Sequence, residues 1–347
     1  MGIENNYIVK VTLSCPAQCE CCTNRQKQFK KNVVKTIFDI SSFEKVCNYI
    51  KSHGGEYVSL SGGEPTMISN LSDYISIAHR LGLATRINTN GWNVTEDNLV
   101  EWGKKGLDQI VLSIYGLEEE KVRALRGNKT LYDKSILAAQ NIRKYKETNN
   151  LIFIVQTVLM KQSFEDLPKI LDFAIKNKAD RLWPSYLEDA HNLPNIRMSN
   201  VDVETFNTKT ISEMRDVISR SIDLSENVKK NLYISITQYF DADYTDGIYH
   251  RDGKPCFWKG RHFSFYPDGR VDPCPGHEYF TSSFQHKIDY DRIEDGMDIM
   301  QEETEKFAYC RYCPQGVHKE LILSDITFHE HSRKEILRCS NATKDGN

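Results

Sequence analysis

The chain is expected to be an α/β protein built on a parallel sheet. From residue 7 to about 190, short β-branched apolar runs recur, and the stretches between them carry apolar residues at helical spacing. At 347 residues the chain also exceeds what one core usually organises, so a large domain plus a smaller one is expected. Strands are predicted at residues 7–13, 57–60, 84–88, 109–114, 151–158 and 181–186. Between them, Phe43, Val46, Cys47 and Ile50 share one helical face. Leu71, Tyr74, Ile75 and Ala78 share another, as do Leu167, Ile170, Leu171 and Ala174.

Composition narrows the class of function. A hydrophobic content of 39% suits globular packing, and a net charge of −3 argues against a nucleic-acid partner held by electrostatics. The cations Arg25, Lys27, Lys30, Lys31 and Lys35 read as a solvated loop. No apolar stretch approaches the length of a membrane span, and no charged-then-apolar leader precedes the first strand. Ten cysteines without an export signal point to metal clusters rather than disulfides, hence to a cytoplasmic, oxygen-sensitive protein.

Chemistry concentrates at the predicted strand ends, where barrel enzymes place their sites. Cys15, Cys19 and Cys22 follow the first strand with CxxxCxxC spacing. Three thiolates on a [4Fe-4S] cluster leave one iron open to a ligand that must react, whereas zinc is the alternative for a cysteine group of this kind. After the second strand stands Ser61-Gly62-Gly63-Glu64-Pro65-Thr66, and after the third Asn88-Thr89-Asn90-Gly91. Leu112-Ser113-Ile114-Tyr115-Gly116 closes the fourth strand, and Arg126-Gly127 with Leu131-Tyr132-Asp133 follows it.

Taken in order, these stretches resemble those of radical S-adenosylmethionine (radical SAM) enzymes. The resemblance implies a partial (β/α)6 TIM-like barrel over residues 1–190, with a [4Fe-4S] cluster on Cys15, Cys19 and Cys22 that binds S-adenosylmethionine at its open iron. It further implies that Gly62, Gly63, Glu64 and Pro65 receive the methionyl ammonium, the glycines by letting backbone approach closely. Asn90 is implied at the adenosyl part, and Ser113 and Arg126 at the carboxylate, where a guanidinium fork matches both oxygens. One departure stands at Cys21, where many relatives carry an aromatic residue against the adenine. A small apolar filler is the ordinary fate of such a thiol, with a ligand or a hydrogen-atom donor as alternatives. Cys47 reads as core.

Regularity weakens over residues 191–250, which are expected to form a linker with one helix marked by Ile211, Met214, Ile218 and Ile222. A strand at 232–236 and an acidic, aromatic loop at 238–247 follow. Residues 251–320 carry Cys256, Cys274, Cys310 and Cys313, with Pro267-Asp268-Gly269 as the turn of a hairpin. This set, with Gly269 to Cys274 spaced as a Gly-x4-Cys element, resembles the twitch domain, the shortened form of the SPASM extension. It implies one auxiliary [4Fe-4S] cluster, with zinc as the rival occupant. Residues 321–347 read as a polar tail in which Cys339, near His329 and His331, is unliganded, with a ligand role as the alternative.

The function implied is reductive cleavage of S-adenosylmethionine to a 5′-deoxyadenosyl radical, hydrogen abstraction from substrate, and oxidation of the substrate radical through the auxiliary cluster. The expected substrate is a ribosomally made peptide that gains a thioether or carbon–carbon link. A dehydrogenase or epimerase of an aminocyclitol or sugar is the alternative, and a non-catalytic iron-sulfur or zinc scaffold is a third reading. The first strand lies close to residue 1, so a leader-binding domain is expected to be a separate protein. A flavodoxin- or ferredoxin-type donor is the expected electron source. Metal analysis of anaerobically prepared protein should find about eight irons per chain for two cubane clusters. About four irons and one zinc would instead remove the electron-relay role of the second site.

Overall fold

The computed structural model describes residues 6–22, 37–187, 195–221, 224, 229, 244–245, 248–250, 262–273, 287–306 and 312–313. Six strands run parallel in sequence order: β1 (Asn6–Thr12), β2 (Tyr57–Gly62), β3 (Ala84–Thr89), β4 (Gln109–Ser113), β5 (Ile152–Leu159) and β6 (Arg181–Tyr186). Each matches an expected strand to within two residues. The crossovers are α1 (Ile40–Ser52), α2 (Leu71–Arg80), α3 (Glu96–Lys104), α4 (Glu119–Arg126), α5 (Leu131–Tyr145) and α6 (Leu167–Lys176). This is the βα alternation of a partial barrel.

Strand alternation sorts the side chains into two layers. Tyr7, Val9 and Val11 of β1, Val58 and Leu60 of β2, and Ile110 and Leu112 of β4 are buried in the layer that meets the helices. There they join the expected helical faces: Phe43, Val46, Cys47 and Ile50, then Leu71, Tyr74, Ile75 and Ala78, then Leu167, Ile170, Leu171 and Ala174. Cys47 is therefore a core residue, as expected. The opposite positions are more polar and include Ser59, Arg86 and Gln109. Arg86 donates through Nε to Gln109 Oε1 at 3.2 Å, and its guanidinium lies 5.0 Å from the Tyr57 ring and 5.9 Å from that of Trp183. Val111, Ile152 and Ile154 pack with Trp183 beside it. The inner face of the sheet is thus filled, partly by a cation held between aromatic rings.

Local signals set the helix ends. Asp39 Oδ2 accepts the Ser42 N–H at 2.9 Å to start α1, and Thr95 Oγ1 accepts that of Asn98 at 3.2 Å to start α3. Helix α4 stops at Gly127, whose φ of 60° is the left-handed conformation that favours glycine. In the stretch expected to be a linker, α7 (Asn200–Thr205) runs through a π turn at Phe206–Thr210 into α8 (Ile211–Arg220). A reciprocal cap between Ser199 and Asp202 starts it. The expected helix is present but begins earlier, because Val203 and Phe206 extend its buried face.

The hairpin around Pro267-Asp268-Gly269 forms as expected, with β9 (His262–Phe265) and β10 (Val271–Asp272) antiparallel. It was expected in a separate smaller unit, but β9 pairs in parallel with β1, so the sheet runs β10-β9-β1-β2-β3-β4-β5-β6. The reason is apolar: Phe263 and Phe265 bury in the same layer as Val9 and Val11, and the Phe263 ring stacks on Tyr7 at 5.7 Å. Helix α9 (Ile293–Lys306) then packs on α1, and just ahead of the two helices Phe38 meets Tyr290 with ring centroids 5.1 Å apart. A second sheet pairs β7 (Tyr244–Thr245) with β8 (Ile248–His250) and β8 with β11 (Tyr312–Cys313). Residues 232–236 lie outside the described residues, as does most of the acidic loop at 238–247. Among the described residues no helix is long and apolar enough to cross a membrane.

Replacing Phe263 by alanine should cost about 3–5 kcal/mol, the range for deleting a buried aromatic ring. A lowered midpoint in chemical denaturation would report it. An unchanged midpoint would show that the hairpin does not contribute to the stability of the sheet.

Candidate active site

The loop after β1 carries the three cysteines, and two neighbours hold it. On one side are the ends of β2 and its glycines. Gly63 N–H donates to Thr12 O at 2.7 Å and Glu64 N–H to Ser14 O at 2.8 Å. A Cβ on Gly62 would lie 1.9 Å from Thr12 O, and one on Gly63 would lie 2.1 Å from Ser14 O. The close approach these glycines permit is therefore to the protein's own backbone, at the point where it turns into the cysteine loop.

On the other side is the C-terminus of α4, whose last carbonyls have no partner within the helix. Gln18 N–H donates to Arg126 O at 2.8 Å and Glu20 N–H to Leu125 O at 3.1 Å. Asn128 Nδ2 adds a bond to Pro16 O at 2.9 Å. A Cβ on Gly127 would come within 2.9 Å of Gln18 Cβ, so the glycine that ends the helix also admits the loop.

Glu64 is 1% exposed and ties the ends of β2 and β3 together. Its Oε1 accepts from Thr66 N at 3.1 Å, Thr66 Oγ1 at 2.6 Å and Thr89 Oγ1 at 2.6 Å. Its Oε2 accepts from Asn90 N at 2.7 Å. Burial pushes the carboxyl above its usual range, and the donors from Thr66, Thr89 and Asn90 pull the other way. Pro65 begins the short 3-10 turn Pro65–Met67 beside it. The Asn90 side chain closes the link to the cysteines: Nδ2 lies 3.6 Å from Cys15 Sγ while Oδ1 accepts the Trp92 N–H at 2.9 Å.

Arg126 is 2% exposed. Its Nη1 donates to Ser113 O at 3.1 Å, and its guanidinium sits 4.7 Å from the Tyr115 ring centroid. Its Nε has no partner among the described residues. Burial opposes the charge, but Cys19, Tyr115 and Cys21 outweigh it, so the pKa lies above the ordinary value. Cys21 is buried with Cys19, Leu125, Met160, Leu187 and Ile196, and Tyr115 packs against this cluster. Burial is the main cause that pushes its thiol up.

Residues 9–174 match the family model described as the radical SAM superfamily. This stretch of the chain is a radical SAM domain. The PqqA peptide cyclase of Bradyrhizobium diazoefficiens is 25% identical over 328 residues, covering 92% of this chain and 78% of that protein. The Streptococcus suis SuiB structure bound to S-adenosylmethionine superposes with a TM-score of 0.63 at 17% identity, covering 86% of this chain. This chain spans 66% of that one, just under two thirds. Native anSMEcpe with bound AdoMet gives a TM-score of 0.61 at 15% identity, over 97% of this chain and 99% of that one.

The donor set of the radical SAM domain fits a thiolate cluster. Cys15, Cys19 and Cys22 share one loop, and Asn90 Nδ2 lies 3.6 Å from the Cys15 sulfur, whose thiol burial pushes up to about 12. The orphaned Arg126 Nε is a buried donor that still needs an acceptor. Of the second cysteine group, Cys256, Cys274 and Cys310 lie outside the described residues, as do Cys339 and the cations Arg25 to Lys35. Cys313 is placed only as a backbone position in β11, opposite Tyr249.

Every site residue read from the first 126 positions therefore meets at one end of the sheet. Four residues that matter there escaped the sequence: Thr66, Thr89, Tyr115 and Asn128. Thr66, Thr89 and Tyr115 stand inside motifs already noted, yet nothing in residue type alone says that two threonines will occupy a buried carboxylate. Gly63→Ala should force the Ser14 backbone away from β2. The expected result is iron uptake well below the parent's, with overpacking costing about 1–3 kcal/mol and an unchanged far-ultraviolet circular dichroism spectrum.

Proposed function

We propose that this enzyme matures a ribosomally made peptide by forming a thioether or carbon–carbon cross-link. The observation that carries the reading is the extent of the similarity to PqqA peptide cyclase, which covers 92% of the chain and so runs well past the radical SAM domain. Two fold neighbours agree in kind: one is SuiB bound to its precursor peptide SuiA and another is anSMEcpe bound to AdoMet and a peptide.

Cys15, Cys19 and Cys22 would hold a [4Fe-4S] cluster and leave one iron for S-adenosylmethionine. When bound, this pair supplies a 5′-deoxyadenosyl radical able to take a hydrogen atom from an unactivated carbon. The chain's own residues set the geometry. Ser113 and the free Nε of Arg126 would meet the methionyl carboxylate. The backbone from Gly62 to Pro65 would face the ammonium, and Glu64 would help through Oε2, because Oε1 already serves three donors. Asn90 would orient Cys15 and border the adenosyl part. The packed layer of Arg86, Gln109 and Trp183 closes the sheet interior against water.

Cys256, Cys274, Cys310 and Cys313 would hold an auxiliary [4Fe-4S] cluster, with zinc as the alternative occupant. Four thiolates leave no iron for substrate, so electron transfer is the role assigned to it. A reducing cytoplasm with a flavodoxin- or ferredoxin-type donor, and a separate leader-binding protein, complete the reading.

The test is anaerobic incubation of reconstituted protein with dithionite, S-adenosylmethionine and a candidate precursor peptide taken from a short neighbouring reading frame. The expected outcome is 5′-deoxyadenosine together with a peptide that has lost two hydrogen atoms and gained a cross-link visible by tandem mass spectrometry. An unaltered peptide alongside oxidation or epimerisation of an aminocyclitol or sugar would overturn the peptide reading.

A further inference from the structure

The helix that docks the cysteine loop is short. The 8 residues of α4 form little more than two turns, and an isolated helix of that length is marginal in water. Its start has no side-chain cap, and its buried apolar residues are Val122 and Leu125. Yet its last carbonyls must meet the Gln18 and Glu20 N–H groups, and its last residue is Arg126. The direction of such a helix has to be fixed from outside.

The structure supplies a charge at its other end. Lys121 Nζ donates to Asp166 Oδ2 at 2.6 Å. Asp166 closes the 3-10 turn Phe164–Asp166 and stands directly before α6, whose N-terminus favours an anion. Lys169 Nζ adds bonds to Asp166 Oδ1 at 3.4 Å and to Glu118 Oε1 at 3.1 Å. Exposure ranks these contacts: the Asp166 side chain is 6% exposed, that of Lys121 31% and that of Lys169 60%. An ion pair in water contributes little, whereas a buried carboxylate stripped of its cation is left with an uncompensated charge. The pair of Lys121 and Asp166 is therefore the strong link between the start of α4 and the start of α6. Lys121 and Leu125 stand four residues apart and share one face of α4. Leu125 buries with Cys19 and Cys21, and its carbonyl receives the Glu20 N–H, so a tilt at the ion pair is felt at the loop.

We infer that Asp166 is a positioning residue for the cofactor site: through Lys121 it fixes the start of α4, and α4 in turn fixes Arg126 and one side of the cysteine loop. The inference rests on the reading of Cys15, Cys19 and Cys22 as cluster ligands and of Arg126 as a contact of the cofactor carboxylate. The physical basis is preorganisation. A helix held in place before the cofactor arrives loses less freedom when it binds, and a loosened helix binds more weakly. The effect falls on cofactor affinity more than on the cleavage step, because α4 presents the residue assigned to the carboxylate end of the cofactor.

The experiment measures 5′-deoxyadenosine formed by the reconstituted full chain with dithionite over a range of S-adenosylmethionine concentrations, without peptide, with iron content determined on the same samples. Asp166→Asn should raise the KM for S-adenosylmethionine about tenfold, within the range over which contacting residues couple, and should lower kcat by less. Lys121→Met should do the same, and the double variant should be no worse than either single one. Lys121→Arg, which keeps the charge, should stay near the parent. If Asp166→Asn takes up no iron, the two Lys121 variants decide by the same measurement. An unchanged KM in an iron-loaded Lys121→Met variant, or losses that add in the double variant, overturns the inference and leaves the cluster assignment standing. A parent that forms no 5′-deoxyadenosine overturns the cofactor reading and the inference with it.

Discussion

The docking of the cysteine loop between the end of β2 and the end of α4 is the constraint on which the site depends. Cys15, Cys19 and Cys22 stand at i, i+4 and i+7, a spacing that would suit a helix face, yet residues 13–22 form no helix, so the loop takes its shape from its neighbours. The shape is imposed from outside by backbone hydrogen bonds. Thr12 and Ser14 give carbonyls to Gly63 and Glu64, while Gln18 and Glu20 give N–H groups to the unused carbonyls of a helix C-terminus. Both neighbours need glycine at the contact, for reasons of space at Gly62 and Gly63 and of backbone conformation at Gly127.

This arrangement changes how the family's motif residues are understood. The glycine-rich stretch and the Arg-Gly pair read from sequence as contacts to a cofactor, and both turn out to be load paths between protein segments. Glu64 is similar: a carboxylate expected to face an ammonium is mostly occupied by Thr66, Thr89 and Asn90, which makes it a tie between two strand ends. A group rigid before its ligand arrives loses less entropy when the ligand binds. The same logic extends to Arg126, whose ring platform and carbonyl acceptor leave it little freedom.

The hairpin of β9 and β10 links the C-terminal part of the chain to the barrel through β1, the strand that leads directly into the cysteine loop. Stability in the hairpin and order in the loop are thereby coupled through one strand. The coupling runs through Tyr7, Phe263 and the parallel ladder between β9 and β1.

The sequence by itself determined the six parallel strands, the helical faces that cover them, and the positions of Cys15, Cys19, Cys22, Glu64, Asn90, Ser113 and Arg126 at strand ends or just beyond. These features are legible because hydrophobic periodicity and turn chemistry are local, and each is written within a window of a few residues. Only the tertiary structure decided that Gly62 and Gly63 face backbone, that Thr66 and Thr89 fill Glu64, that Cys21 is buried in a cluster Tyr115 packs against, and that β9 joins β1. Those choices depend on which groups meet across long separations in sequence. A donor finds its acceptor only after packing has brought the two together.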